Sequence, residues 1–122
     1  MENSPKKTYN LFRESMIMKT EEWKNLISEE VELIGPLVRL KGRLSFIEVN
    51  TPFFESVLSS ELHELVESGN KIITRISTEV GLPDGESLTL EVSEWYEVKD
   101  GKITSLRTYF DTTEFRKVFK ID

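Results

Sequence analysis

Residues 88–111 read LTLEVSEWYEVKDGKITSLRTYFD and contain two strand-like runs around a turn signal. Apolar and polar side chains alternate over residues 88–98, and residues 103–111 form a similar returning run, as is typical of half-buried strands. Asp100-Gly101 separates the two runs and favours a tight hairpin turn. We therefore predict an antiparallel β-hairpin in this segment.

The segments that precede and follow this hairpin extend the β pattern. Residues 61–67 and 71–80 are candidate strands on either side of the Ser68-Gly69-Asn70 turn, and Pro83-Asp84-Gly85 marks a further turn. Residues 113–119 are a candidate closing helical turn. We therefore predict that the second half of the chain forms antiparallel strands.

The first half of the chain contains helix signals. Ser4-Pro5 is typical of a helix start, and Thr20 is expected to cap a second short helix. We expect two more short helices, over 43–49 and 52–58, because Asn50-Thr51-Pro52 interrupts the pattern between them.

One short strand is predicted among these helices. Residues 31–34 are rich in β-forming side chains, Gly35-Pro36 bends the chain, and residues 37–40 continue beyond the bend. Helices followed by a run of antiparallel strands indicate the α+β fold class. The length of 122 residues fits a single domain, residues 1–122.

Composition limits the possible function classes. The chain has 16 basic and 22 acidic side chains and a net charge of −6. An acidic surface repels phosphate groups, so we expect neither nucleic acid nor a membrane as partner. The absence of cysteine excludes disulfides, thiolate metal ligands and a thiol nucleophile. His63 is the single histidine, which excludes a metal site with two imidazoles, and we expect no metal or cofactor.

The apolar runs of the chain are too short to span a bilayer, and its first residues do not resemble a signal peptide. We therefore expect a cytoplasmic protein.

Glu94 is the residue with the clearest chemical content. Alternation places it on the same strand face as Leu90, Val92 and Tyr96. Apolar surroundings favour the neutral form of a carboxyl group, which is then able to donate a proton or a hydrogen bond. Alternatively, the strand ends near Val92 and Glu94 reaches solvent, or Glu94 forms an ion pair with an arginine.

Two other polar residues are weaker candidates. Arg75 shares a strand face with Ile73 and Ser77, so it either points into a cavity to bind an anion or a carbonyl oxygen, or lies at an edge or interface. His63 is a candidate general base, although a lone histidine is more often a packed or surface residue.

The order of these segments resembles the SnoaL-like group of the nuclear transport factor 2-like (NTF2-like) superfamily. The resemblance is carried by WYEVKDGKI at 95–103 and LRTYFD at 106–111, preceded by EVEL at 30–33 and SGNK at 68–71, and it covers residues 8–119. It implies a cone: a strongly curved antiparallel sheet closed by N-terminal helices around an apolar pocket. Members are commonly homodimers, and their functions range from polyketide cyclases and isomerases to binding modules.

Matching single positions narrows what the resemblance implies. The arginine of limonene epoxide hydrolase falls on Arg75, but its two aspartates fall on Ser77 and Thr108, so the water-activating carboxylates are missing. The base of ketosteroid isomerase falls on Gly35. Its tyrosine falls near Phe12 and its protonated acid falls on Glu94. Of these three ketosteroid isomerase roles, the resemblance retains only that of the protonated acid, at Glu94.

The SnoaL-type cyclases use an aspartate, sometimes helped by a histidine. Asp111 and His63 are the only candidates for these roles in suitable regions. Alternation places Asp111 with Arg107 and Tyr109, opposite the face that the resemblance assigns to the pocket, so its role stays open.

We therefore predict a SnoaL-like pocket protein that binds a small apolar ligand carrying a carbonyl or hydroxyl group. If it is an enzyme, it is a cofactor-independent acid–base catalyst of isomerisation, cyclisation or dehydration, with Glu94 as the acid. The predicted ligand contacts are Arg75, Ser77, Tyr96, Leu106, Thr108, Phe110, Leu90, Val92 and Phe12.

The alternative is a non-catalytic homodimeric binding or interaction module of the same fold. In that case the outer sheet face around Trp95 pairs with a second subunit or another protein.

Overall fold

The computed structural model describes residues 4–119, with side chains through residue 116. The chain order is α1 (Pro5–Met18), a 3-10 turn (Glu22–Leu26), β1 (Ile27–Ile34), β2 (Arg39–Lys41), α2 (Arg43–Ser56), β3 (Val57–Ser68), β4 (Lys71–Gly81), β5 (Ser87–Lys99), β6 (Lys102–Tyr109) and α3 (Thr113–Phe119). The α+β class predicted from the sequence is confirmed.

The six strands form one sheet in the order β2-β1-β6-β5-β4-β3. All neighbouring strands are antiparallel except β1 and β6, which are parallel. The prediction of a wholly antiparallel sheet is corrected at this one pair. No tight turn joins β1 to β6, so local chain geometry does not fix their relative direction. Bulges in β3 and β6 interrupt the register and add twist, which curves the sheet.

The helices differ from the predicted ones in two places. The short helix after Thr20 is only a 3-10 turn, and Ile27 already begins β1. The two helices predicted around Pro52 are one continuous helix, α2. The side chains of Asn50 and Thr51 donate to backbone carbonyls one turn earlier, at 2.9 and 2.6 Å. These bonds and the packing of the helix on the sheet outweigh the interruption that proline imposes.

The apolar faces of α1 and α2 cover the inner face of the sheet. Tyr9 and Phe12 of α1 and Phe46 of α2 are buried against the strand residues Ile72 and Tyr96. Burial of these large side chains supplies most of the driving force that holds the helices on the sheet.

Lys19 fastens the end of α1 to the end of α2. Its ammonium group donates to the carbonyl oxygens of Phe54, Glu55 and Val57 at 2.9, 3.3 and 2.7 Å. A cation is favoured there because the last carbonyls of a helix lack intrahelical partners. The contact therefore links the end of α1 to the junction between α2 and β3.

Across residues 4–119 no helix has the length and apolar character needed to cross a membrane.

Candidate functional site

A cavity of ≈ 290 Å³ lies between the helices and the inner face of the sheet. Its walls are mostly apolar and come from the three helices, from every strand except β2, from the β1–β2 turn and from the segment between β6 and α3. The lining residues are Tyr9, Phe12, Arg13, Met16, Leu33, Pro36, Leu37, Val38, Val49, Asn50, Phe53, Phe54, Val57, Ile76, Thr78, Leu90, Val92, Glu94, Tyr96, Leu106, Thr108, Phe110 and Phe115.

Glu94 lies on the inner face of β5 and reaches the cavity wall. Thr74 Oγ1 donates a hydrogen bond to Glu94 Oε1 at 2.8 Å, and Tyr96 Oη donates to Glu94 Oε2 at 2.9 Å. Thr74 faces Glu94 directly across the β4–β5 ladder, and Tyr96 is two residues along the same face. The predicted position of Glu94 on the face of Leu90 and Tyr96 is confirmed. The alternative that the strand ends near Val92 is wrong, because β5 continues to Lys99.

Burial raises the pKa of Glu94, because removing the carboxylate from water disfavours its charged form. The hydrogen bonds from Thr74 and Tyr96 and the nearby charge of Arg13 lower this pKa, but less than burial raises it. Glu94 is half-buried and borders the cavity, and burial is the largest cause of its pKa shift. The site therefore favours a neutral carboxylic acid.

Tyr9 places a second polar group at this end of the cavity. Its hydroxyl is buried and makes no hydrogen bond of normal geometry with the described residues. Burial, together with the charge of Glu94 when ionised, raises the pKa of Tyr9 to about 12, although nearby Thr74 and Arg13 lower it slightly. Tyr9 therefore remains a neutral donor at any ordinary pH.

Arg13 lies one turn after Tyr9 on α1 and also lines the cavity. Its guanidinium group donates to Ser60 Oγ at 3.1 Å and to the Ser60 carbonyl at 2.9 Å. Ser60 is on β3, so this contact joins the first helix to the edge of the sheet.

Eight of the ten predicted site residues line the cavity: Phe12, Leu90, Val92, Glu94, Tyr96, Leu106, Thr108 and Phe110. The other two, Arg75 and Ser77, do not line the cavity, so the expectation that they contact a ligand there is wrong. Both belong to the outer face of β4, because Thr74, Ile76 and Thr78 occupy the buried face of that strand.

The outer face gives these residues other partners. Arg75 Nε is paired with Glu64 Oε1 at 2.8 Å, and this pair is exposed to solvent. Ser77 Oγ donates to both oxygens of Glu91 at 2.8 and 2.9 Å and lies 2.6 Å from His63 Nε2. His63 is therefore a surface residue of β3 and does not line the cavity.

Asp111 also lies away from the cavity wall. Its Oδ1 accepts a hydrogen bond from the backbone N–H of Thr113 at 2.9 Å, at the start of α3. That bond lowers the pKa of Asp111, which is exposed. Asp111 therefore forms an Asx turn that leads into α3.

Gly35 shows why the position of the isomerase base carries no side chain here. A Cβ atom at Gly35 would lie 2.6 Å from Thr108 Oγ1, well inside van der Waals contact. Thr108 is half-buried and lines the cavity. A carboxylate at position 35 would therefore require Thr108 to move or to be replaced.

Local sequence patterns did not identify Tyr9 and Arg13 as members of the site. Their spacing of four residues does place them on one side of a helix, which is a usable signal. It does not show that this side faces Glu94. Among the residues that the structure describes, no three acidic or histidine side chains cluster closely enough to hold a metal ion.

Comparison with known proteins identifies the fold. The family model of the SnoaL-like domain matches residues 12–106. An NTF2-like protein from Cytophaga hutchinsonii ATCC 33406 has a TM-score of 0.76 at 20% identity, covering 94% of this chain and 96% of its own. A protein from Jannaschia sp. CCS1, provisionally named a SnoaL-like polyketide cyclase, has a TM-score of 0.79 at 11% identity, with 97% and 92% covered.

TerC, whose structure was determined with polyporic acid, has a TM-score of 0.79 at 18% identity, covering 95% of this chain and 98% of its own. At such low identities these structures establish a shared fold and leave the chemistry open. No curated protein matches the sequence significantly.

Proposed function

This chain belongs to the SnoaL-like domain family, and we propose that its cavity binds a small, mainly apolar molecule whose carbonyl or hydroxyl oxygen lies beside Glu94. The observation that carries the proposal is a buried carboxyl group at the wall of an otherwise apolar cavity. A cavity of ≈ 290 Å³ is near the lower limit for small-molecule sites.

Glu94 is suited to donate to a ligand oxygen. Both of its carboxyl oxygens accept hydrogen bonds from protein hydroxyls, so its own acidic proton is not needed for either contact. A neutral acid in an apolar site polarises a carbonyl group by donating a hydrogen bond to its oxygen. This arrangement supports proton-transfer chemistry such as isomerisation, cyclisation or dehydration without a cofactor.

Glu94 is the only carboxylate among the described lining residues. A reaction in this cavity would therefore use the same carboxyl group to deliver and to recover a proton, or would take its base from the ligand. Among the similar proteins, the Jannaschia protein is provisionally named a polyketide cyclase, and TerC was crystallised with the small molecule polyporic acid.

The test uses 2-tetralone, an apolar ketone, and tetralin, the same ring system without the oxygen. We expect 2-tetralone to shift the methyl NMR signals of Leu90 and Val92. Glu94→Leu should weaken the binding of 2-tetralone but not of tetralin, since only the ketone accepts a hydrogen bond. Glu91→Gln, on the outer face of the same strand, is the matched control and should change neither.

Catalysis is tested separately by deuterium exchange at the carbon next to the carbonyl of 2-tetralone. Glu94→Gln keeps a hydrogen-bond donor but cannot transfer a proton, so we expect it to bind 2-tetralone and lose any enzyme-dependent exchange. Undiminished exchange in Glu94→Gln would remove the acid–base role, and an absence of 2-tetralone binding would remove the ligand proposal.

A second candidate function is supported by the outer face of the sheet. Trp95 is 44% exposed and Val66 is 55% exposed, and the register places Ile73 between them. We propose as the alternative that this apolar row pairs with a second copy of the chain in a non-catalytic homodimer. Sedimentation at micromolar concentration should then show a dimer that Trp95→Glu dissociates, whereas a monomeric wild type would exclude it.

A further inference from the structure

Arg13 is the only positively charged side chain among the described residues that line the cavity. It is half-buried, and both of its hydrogen bonds go to the neutral groups of Ser60. The ion pairs found within residues 4–116 join Lys24 to Glu21, Lys71 to Glu97 and Arg75 to Glu64, so none of them neutralises Arg13. A partly buried charge without an opposite charge is unfavourable unless something else supplies one.

The guanidinium group of Arg13 also has hydrogen-bond donors that Ser60 does not occupy. A guanidinium group carries five N–H donors, and Ser60 accepts from two of its nitrogens. The hydroxyl of Tyr9, one turn earlier on α1, is buried without a hydrogen-bond partner in the described structure. Two neighbouring donor groups therefore border the same cavity with unused hydrogen-bonding capacity.

Glu94 forms no ion pair with Arg13. The two residues are nevertheless close enough for the charge of Arg13 to influence the carboxyl group. Burial raises the pKa of Glu94 and so disfavours the carboxylate form that would oppose the charge of Arg13.

We propose that the ligand of this cavity is an anion: a small apolar molecule with a carboxylate or a comparably acidic enol, held by Arg13 and the hydroxyl of Tyr9. This inference rests on the proposed function, because it names the class of molecule that the same cavity takes. The charged oxygen lies against α1, and the apolar part fills the space between α2 and the sheet. Arg13 thus selects anionic ligands over neutral molecules of the same shape.

The test compares 2-naphthoate with 2-naphthamide, which have the same ring system and differ in charge. By calorimetric titration at neutral pH, wild-type protein should bind 2-naphthoate about tenfold more tightly or better, as expected for a charge-assisted hydrogen bond. Arg13→Gln should abolish this preference, and Arg13→Lys should keep part of it. Arg75→Gln removes an equal charge from the outer face and should leave the preference unchanged.

The Ser60→Ala variant distinguishes ligand binding by Arg13 from a purely structural role of this residue. That variant removes one Arg13 contact without removing the charge, so it should lower stability yet keep the preference for 2-naphthoate. Because each preference is a ratio measured on one folded protein, a loss of stability in Arg13→Gln does not imitate the expected result.

Equal binding of the two probes by wild-type protein would overturn the anion inference while leaving the cavity proposal intact. Retention of the preference in Arg13→Gln would overturn the role of Arg13. If neither probe binds, the inference fails, and the titration with 2-tetralone decides whether the proposed function fails with it.

Discussion

Replacing Glu94 by glutamine should change how the stability of the protein depends on pH. Burial raises the pKa of Glu94 above the ordinary value of 4.5, so the folded protein holds a proton that the unfolded chain releases. The contribution of Glu94 to stability is therefore fully present below the unfolded pKa and is lost as pH rises through the folded pKa. Glutamine does not titrate, so Glu94→Gln lacks this loss.

The magnitude follows from one proton. Between the unfolded and folded pKa values, the free energy of unfolding of the wild type should fall relative to Glu94→Gln by up to ~1.4 kcal/mol per pH unit. Above the folded pKa the difference should become constant, because both states are then ionised. Tyr9, with a pKa of about 12, and Tyr96, whose pKa burial also raises, stay neutral throughout this range.

Urea unfolding of the wild type, Glu94→Gln and Glu91→Gln from about pH 4 to about pH 8 measures this difference. Glu91 accepts its hydrogen bonds from Ser77 on the outer face. The Glu91→Gln variant keeps Glu94, so its stability should follow the same pH dependence as the wild type. Parallel curves for the wild type and Glu94→Gln would refute the argument, because they would mean a solvated carboxylate. A relative gain in wild-type stability with pH would indicate instead that ionised Glu94 pairs with Arg13.

Three further predictions concern the contacts of Lys19 with α2, the close approach of Gly35 to Thr108, and the pH dependence of ligand binding. Lys19→Met should lower the free energy of unfolding by about 1–2 kcal/mol in urea, because three backbone carbonyls lose a charged donor. Gly35→Ala should cost about 1–3 kcal/mol by calorimetric melting, through the clash with Thr108 Oγ1, and adding Thr108→Ala should recover part of the loss. Stability unchanged in either single variant would contradict these contacts. The affinity for 2-naphthoate should fall as pH rises through the folded pKa of Glu94, since a second anion then faces the ligand, and calorimetry in Glu94→Gln should show no such fall.

Several features of the fold follow from local sequence patterns. Ser4 accepts a hydrogen bond from the backbone of Lys7 at 3.1 Å, as a helix cap before Pro5 should. Asp100 and Gly101 both adopt positive φ at the predicted hairpin turn. Alternation over residues 88–98 places Glu94 with Leu90 and Tyr96. These features depend on residues a few positions apart, which is why the chain order alone predicts them.

Alternation also shows which side chains of β4 share a face, but it does not show which face is covered. Ile73, Arg75 and Ser77 form one set and Ile72, Thr74 and Ile76 the other, and each contains isoleucine and polar residues. Packing of the helices covers the second set, so Thr74 reaches Glu94 and Arg75 is left outside. The choice depends on contacts between distant parts of the chain.

The same limit applies to Arg13. It meets Ser60 across 47 residues of sequence, and no local pattern connects the two. The alternation of β5 depends only on the residues of that strand, and it places the acidic Glu94 among apolar side chains. The cation and the buried hydroxyl at the same cavity belong to the site only because α1 packs across the curved sheet, and that packing is a property of the whole folded chain.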